Sequence, residues 1–348
     1  MRSIAVALPV VLACLAVAAC DSSDAPGAGS APVATRGTTP ADAGASPDLP
    51  GPEPRSVEPD ATIEVSANLN GLVLTDDAVW VGTAEGVVRI DPGTNQIIRR
   101  IRVPNLAGYF ALAFGSAWVT DYDAFVVRRV DPRTGRVLAE IPSGANPEGL
   151  GHTDDAIWVA NHHDGTVTRI DPSTNSVVAT VSVGRAGIGG PQQLLAAGDA
   201  VWVGVPNEHA VVKIDAATNQ VAAVIRAPGG GCGNLLLVGR HLWTGGCDYS
   251  VDVIDIDSAV AVGRVLLSGP GGAAFERQSR IWMTVLSESH NEPGHLVAIN
   301  PTTFTIEDSI RLESSTYPAA LGFDSVWVAL EGTTKLLRLP IGSLTPGP

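Results

Sequence analysis

Apolar residues recur along this chain in short alternating blocks separated by polar turns, and seven of the blocks carry a tryptophan. They are Val79-Trp80-Val81, Ala117-Trp118-Val119, Ile157-Trp158-Val159, Val201-Trp202-Val203, Leu242-Trp243-Thr244, Ile281-Trp282-Met283 and Val326-Trp327-Val328. No tryptophan is left over, and neighbours lie about 40 residues apart, the period of propeller blades rather than of shorter helical repeats. In the third unit the pattern predicts strands over 148–151, 157–161, 166–170 and 177–183, where β-branched residues alternate and turn residues fall between. Each third strand ends in a polar turn: Asp91-Pro92-Gly93-Thr94-Asn95, Asp131-Pro132-Arg133-Thr134-Gly135, Asp171-Pro172-Ser173-Thr174-Asn175 and Asp215-Ala216-Ala217-Thr218-Asn219, with looser forms at Asp255 and Asn300. Asp caps the backbone, Pro presets φ, and Asn or Gly takes the left-handed position. A repeated turn makes these aspartates structural rather than a ring of ligands, and a repeated indole reads as core between twisted sheets rather than as a stacking platform.

The unit is therefore four short antiparallel strands, and the predicted fold is all-β: a seven-bladed β-propeller over residues 61–342. The last unit, 317–342, has three strands and then runs into a tail over 343–348. Residues 61–66 alternate, lack a partner, and stand just before the first blade. They are predicted to supply the outer strand of the last blade, an N-terminal closure that removes the open edges of the ring.

The ends of the chain change the picture. Arg2 followed by the apolar run 4–19 reads as a secretion signal over 1–19, too short and too soon followed by polar residues to span a membrane. Its end, Val17-Ala18-Ala19-Cys20, resembles the lipobox of bacterial lipoprotein signals. That resemblance implies lipidation at Cys20 and a protein exported and lipid-anchored to the outer face of the cell membrane, an ordinary cleavage site being the alternative. Residues 20–60 are mostly Ala, Gly, Pro, Ser, Thr and Asp, cannot bury enough apolar surface to offset ordering, and read as a disordered tether. A net charge of −14 argues against nucleic acid or anionic lipid as an electrostatic partner. With Cys14 removed and Cys20 acylated, Cys232 and Cys247 remain, before the first and after the second strand of the fifth unit, where an antiparallel pair brings them to one rim. A disulfide is the reading, and free thiols, with nothing basic beside them, are the alternative.

Units of the form Val-Trp-Val…Val-x-Arg-Ile-Asp-Pro-x-Thr-Asn, as at 157–175, resemble the YVTN-type repeats and the propeller of the virginiamycin B lyase group across 61–342. They differ from WD40 repeats, since no Asp follows the tryptophan. The resemblance implies the seven-bladed fold and, as one activity, metal-assisted opening of a cyclic ester antibiotic by elimination. That family's catalytic residues find no residue-by-residue match here.

The loops after each second strand vary while the opposite turns repeat, so the variable face is where a ligand is expected. Its candidates are Asp121, Asp123, His162, His163, Asn207, Glu208, His209, Asp248, His290, Glu292 and His295, joined near the channel by Asn70, Glu148, Gln192, Gln193, Asn234 and Tyr317 from the first strands. No zinc-type spacing such as His-Glu-x-x-His occurs. Two function classes follow. The first is an envelope-anchored binding or interaction module, monomeric, taking a protein, glycan or small-molecule ligand. The second is a lyase or hydrolase that would use a divalent cation held by His and Glu, and convergence of those side chains at the channel mouth would favour it.

Overall fold

The computed structural model describes residues 51–345 apart from 67–68, 70, 104–105 and 288–291. The signal, Cys20, Asn70 and His290 lie outside the described residues. Seven antiparallel sheets follow one another around a ring. Blade three has an inner strand Pro147–His152, then Ile157–Asn161, Thr166–Asp171 and an outer strand Ser176–Ser182. The other blades repeat this order, and Ala61–Glu64 pairs antiparallel with Lys335–Pro340 as the outer strand of blade seven. The expected closure is therefore present, with Ile63 and Val65 buried behind it.

Seven apolar clusters hold the ring, one per interface between blades. Each contains the tryptophan of one blade packed on strands of the next: Trp80 with Val119 and Val130, Trp158 with Val203 and Ile214, Trp327 with Val79 and Ile90. Trp118, Trp158, Trp202, Trp243, Trp282 and Trp327 are each under 2% exposed, and Trp80 is 6% exposed. Burying an indole contributes roughly 4–6 kcal/mol of gross transfer free energy, so these side chains dominate the interfaces.

A polar clasp accompanies the indole. Directly across from it on the third strand stands Arg89, Arg129, Arg169, Lys213 or Arg338, whose cationic group lies 5.1–5.4 Å from the ring centre. Three of these arginines also reach the next blade. Arg129 donates to Pro172 O at 2.6 Å and Asn175 Oδ1 at 2.9 Å, and Arg169 to Ala216 O at 3.0 Å and Asn219 Oδ1 at 2.9 Å. Arg338 closes the ring on Pro92 O at 2.7 Å and Asn95 Oδ1 at 3.0 Å. Asn95, Asn175 and Asn219 sit at φ of 60°, 56° and 58°. Their left-handed turn thus aims an amide oxygen at the preceding blade. Where blade two has Gly135 no such oxygen exists, and Arg89 pairs with Asp77 at 2.6 Å instead. In blade five Val253 faces Trp243, and Phe304 from the next blade's turn meets that indole edge-on at 5.9 Å.

Two boundaries differ from the sequence reading. The tether was assigned through residue 60, yet Arg55–Ser56 adds a parallel fifth strand to blade six. Arg55 is held there by Asp308 at 2.6 Å and by the carbonyl of Ser343. The tail was assigned from 343, yet Ile341–Leu344 forms a 3₁₀ turn whose Leu344 is fully buried between blades six and seven.

Cys232 and Cys247 form a disulfide, with Cα atoms 5.5 Å apart. Thiol titration of the unfolded, unreduced protein is expected to find neither of the two free. Replacing both by serine should cost about 3 kcal/mol in a urea melt, the value for a loop near 15 residues. Two titratable thiols would refute the bond.

Candidate functional site

The inner strands of all seven blades converge on a central channel, a cavity of ≈ 240 Å³. Leu72, Phe110, Leu150, Leu194 and Leu235 line it at equivalent strand positions, while polar atoms make up the larger part of its exposed wall. Four polar side chains join them: Tyr109, Gln193, Asn234 and Tyr317. Tyr317 reaches across from blade seven and donates its hydroxyl to Asn234 Oδ1 of blade five at 3.4 Å.

Glu148 occupies in blade three the place that Tyr317 occupies in blade seven. Both inner strands carry the same irregularity, Pro147↔Asn161 then Leu150↔Val159 in one, Thr316↔Leu330 then Ala319↔Val328 in the other. The local geometry is therefore shared, and Glu148 stands at the variable-face end of its inner strand, two residues before Leu150 of the channel wall. Blades three and four come close there. Gly149 donates its N–H to Gln192 O at 2.8 Å, and a Cβ at 149 would stand 2.2 Å from that oxygen. Glycine is required by the contact.

His162, on the loop after the second strand, covers Glu148. Its Nδ1 lies 3.4 Å from Glu148 Oε1, while its Nε2 accepts the Gly189 N–H at 3.3 Å. Because Nε2 accepts, the ring proton belongs on Nδ1, which makes no hydrogen bond of good geometry. The Glu148 side chain is 15% exposed and the His162 side chain 11%. Burial pushes the Glu148 carboxyl up to about 8 and pushes the His162 imidazole down, aided by neighbouring His163. At neutral pH the pair is a protonated acid beside a neutral ring.

The remaining candidates divide between mouth and rim. Gln192 and Gln193 are buried beside Glu148, and Asn234 joins Tyr317. His163 is exposed. Glu208 is tied to Arg185 by its Nε at 2.8 Å and N–H at 3.1 Å, and these hydrogen bonds hold its carboxyl below the ordinary range. His209 is exposed at a left-handed φ of 47°, and Glu292 is exposed with its carbonyl accepting from Ser287. These rim residues do not gather with His162. Among the described residues no group of three His, Cys, Asp or Glu side chains could hold a metal ion, so the described candidates do not fit the divalent cation that the lyase resemblance implies. Tyr109 was not among the sequence candidates. The signal for it existed: it precedes Trp118 by nine residues, as Gln193 precedes Trp202 and Asn234 precedes Trp243.

No family model and no curated protein matches the chain. Solved structures do. One is the hydrazine synthase of Kuenenia stuttgartiensis, 16% identical, covering 71% of this chain and 80% of that one, with a TM-score of 0.57. Another is the computationally designed Ika8 protein, 13% identical, covering 80% of this chain and 100% of that one, with a TM-score of 0.59. At such identities the likeness is one of fold.

Proposed function

We propose that this chain is an exported, lipid-anchored binding module that takes its ligand at the channel mouth of the variable face. The observation that carries the reading is one channel to which all seven blades contribute, with Tyr109, Gln193, Asn234 and Tyr317 in its wall and the Glu148–His162 pair beside it at the start of a neighbouring inner strand. Apolar side chains with a few convergent polar groups are the general form of a binding site. The cavity of ≈ 240 Å³ is below the roughly 300–1,000 Å³ that houses drug-sized ligands, so it suits a compact group, free or projecting from a larger partner. Val17-Ala18-Ala19-Cys20 supports membrane attachment through an acyl chain.

Both halves are testable. Growth with an alkyne-bearing palmitate analogue should label the wild-type protein and not Cys20→Ala, which should also leave the membrane pellet. Label retained on Cys20→Ala would overturn the anchor. For the site, a thermal-shift screen of compact ligands should give hits that Leu150→Trp, which fills the channel, abolishes. Hits lost instead in Glu208→Ala would move the site to the rim.

A further inference from the structure

Glu148 is the one carboxyl at its position in the repeat. Ten residues before each of the other six tryptophans the chain has only Asn, Gly, Gln or Tyr. The next residue, Gly149, donates to Gln192 O, and the channel wall that begins at Leu150 carries the polar side chains of Tyr109, Gln193, Asn234 and Tyr317. Among the described residues no lysine or arginine pairs with it, in contrast to the carboxylates of Asp121, Glu208 and Asp308, each of which meets an arginine. A carboxyl buried without a cation is costly unless something supplies the missing charge.

Building on the channel-mouth reading, we infer that the ligand presents a primary ammonium to Glu148 and lodges its apolar substituent in the channel between Tyr109 and Tyr317. The amide oxygens of Gln192, Gln193 and Asn234 are acceptors for the remaining ammonium hydrogens, and the tyrosine rings suit a cation and its attached carbon. The acidic protein as a whole, at net charge −14, draws cations toward its surface.

Charge and proton are linked in this arrangement. The empty site holds a proton on Glu148, and an arriving ammonium displaces it to solvent. The titratable group facing Glu148 is His162 from its own blade; Gln192 of blade four accepts from the adjacent Gly149, and Thr120 of blade two donates its hydroxyl to Glu148 O at 3.3 Å. Since the folded-state pKa of Glu148 is raised, the protonated form dominates below it and the ammonium competes best above it.

The test is calorimetric titration of the mature full-length chain with benzylamine and with its uncharged counterpart benzyl alcohol, at about pH 6.5 and about pH 8.5, in buffers of different ionisation heat. Benzylamine is expected to bind with proton release at the lower pH, and about tenfold or more tightly at the higher one. Glu148→Gln should lose that preference while melting normally, and Glu148→Asp should keep the proton release. Equal binding of alcohol and amine would remove the ammonium and leave the channel-mouth reading standing. Affinity that falls as pH rises would show instead a protonated Glu148 donating to a neutral acceptor, and overturn the inference. So would an absence of benzylamine binding at millimolar concentration, whatever the compact-ligand screen returns.

Discussion

Deleting residues 61–66 is expected to abolish cooperative unfolding. The deletion strips blade seven of its outer strand, exposes the ladder edge of Lys335–Pro340, and removes Ile63 and Val65 from the cluster that joins blade seven to blade one. Two such side chains contribute about 1.5–3 kcal/mol each on burial, and the lost backbone hydrogen bonds add to that. A domain is stable by only about 5–15 kcal/mol, so the loss takes much of the net stability at a single seam. Urea unfolding followed by tryptophan fluorescence and by far-ultraviolet dichroism is the measurement. The intact chain should give coincident transitions, and the deletion should give broad or separate ones. A sharp transition at the original midpoint would show that the ring does not need this strand.

The second large effect belongs to the interface between blades three and four. Trp158→Ala should lose about 3–5 kcal/mol, the usual result of emptying a fully buried aromatic site. Arg169→Ala should lose less, about 1–3 kcal/mol, by removing the cation over the ring and the hydrogen bonds to Ala216 O and Asn219 Oδ1. Lys213→Ala is the contrast: its ammonium stacks on Trp202 without the matching asparagine, because Ala259 occupies the left-handed position of the following blade's turn. Its loss should stay below about 1 kcal/mol. The pair Arg169→Ala and Asn219→Ala, combined, should lose clearly less than the sum of the separate losses, since both break one contact. Strict additivity would mean that the clasp carries no energy of its own.

Much of this architecture could be read from residue spacing alone. The tryptophan period fixed the number of blades, the Asp-Pro-x-Thr-Asn turns fixed where third strands stop, and the unpartnered run at 61–66 announced the closure. Each is a repeated or local signal. What escaped was cooperative between units. The Arg and the Asn of the repeat were both visible, but that the arginine of one blade grips the asparagine of the next depends on the twist between sheets. Arg55–Ser56 and Leu344 escaped because a two-residue strand and a lone leucine leave no periodicity against a polar background. At the site, Glu148 and Tyr317 were picked out as polar residues on inner strands, and their equivalence follows from a shared irregularity in pairing that sequence does not display. The burial that raises the Glu148 pKa depends on His162 folding back from a loop of the same blade and on the close approach of Gly149 to Gln192 of the next blade, neither of which residue spacing displays.

The interface between blades six and seven is built differently from the rest. Its third-strand position opposite Trp282 is Ala298, and the indole nitrogen of Trp282 is buried without a hydrogen bond. Val57 and Leu344 pack into that same interface from opposite ends of the sequence, and Arg55 ties Asp308 to the Ser343 carbonyl beside them. The two end segments thus serve as rivets in a sector that lacks both the cationic clasp and the edge-on ring that Trp243 receives, and enzymatic trimming at either end would loosen the ring first at that joint.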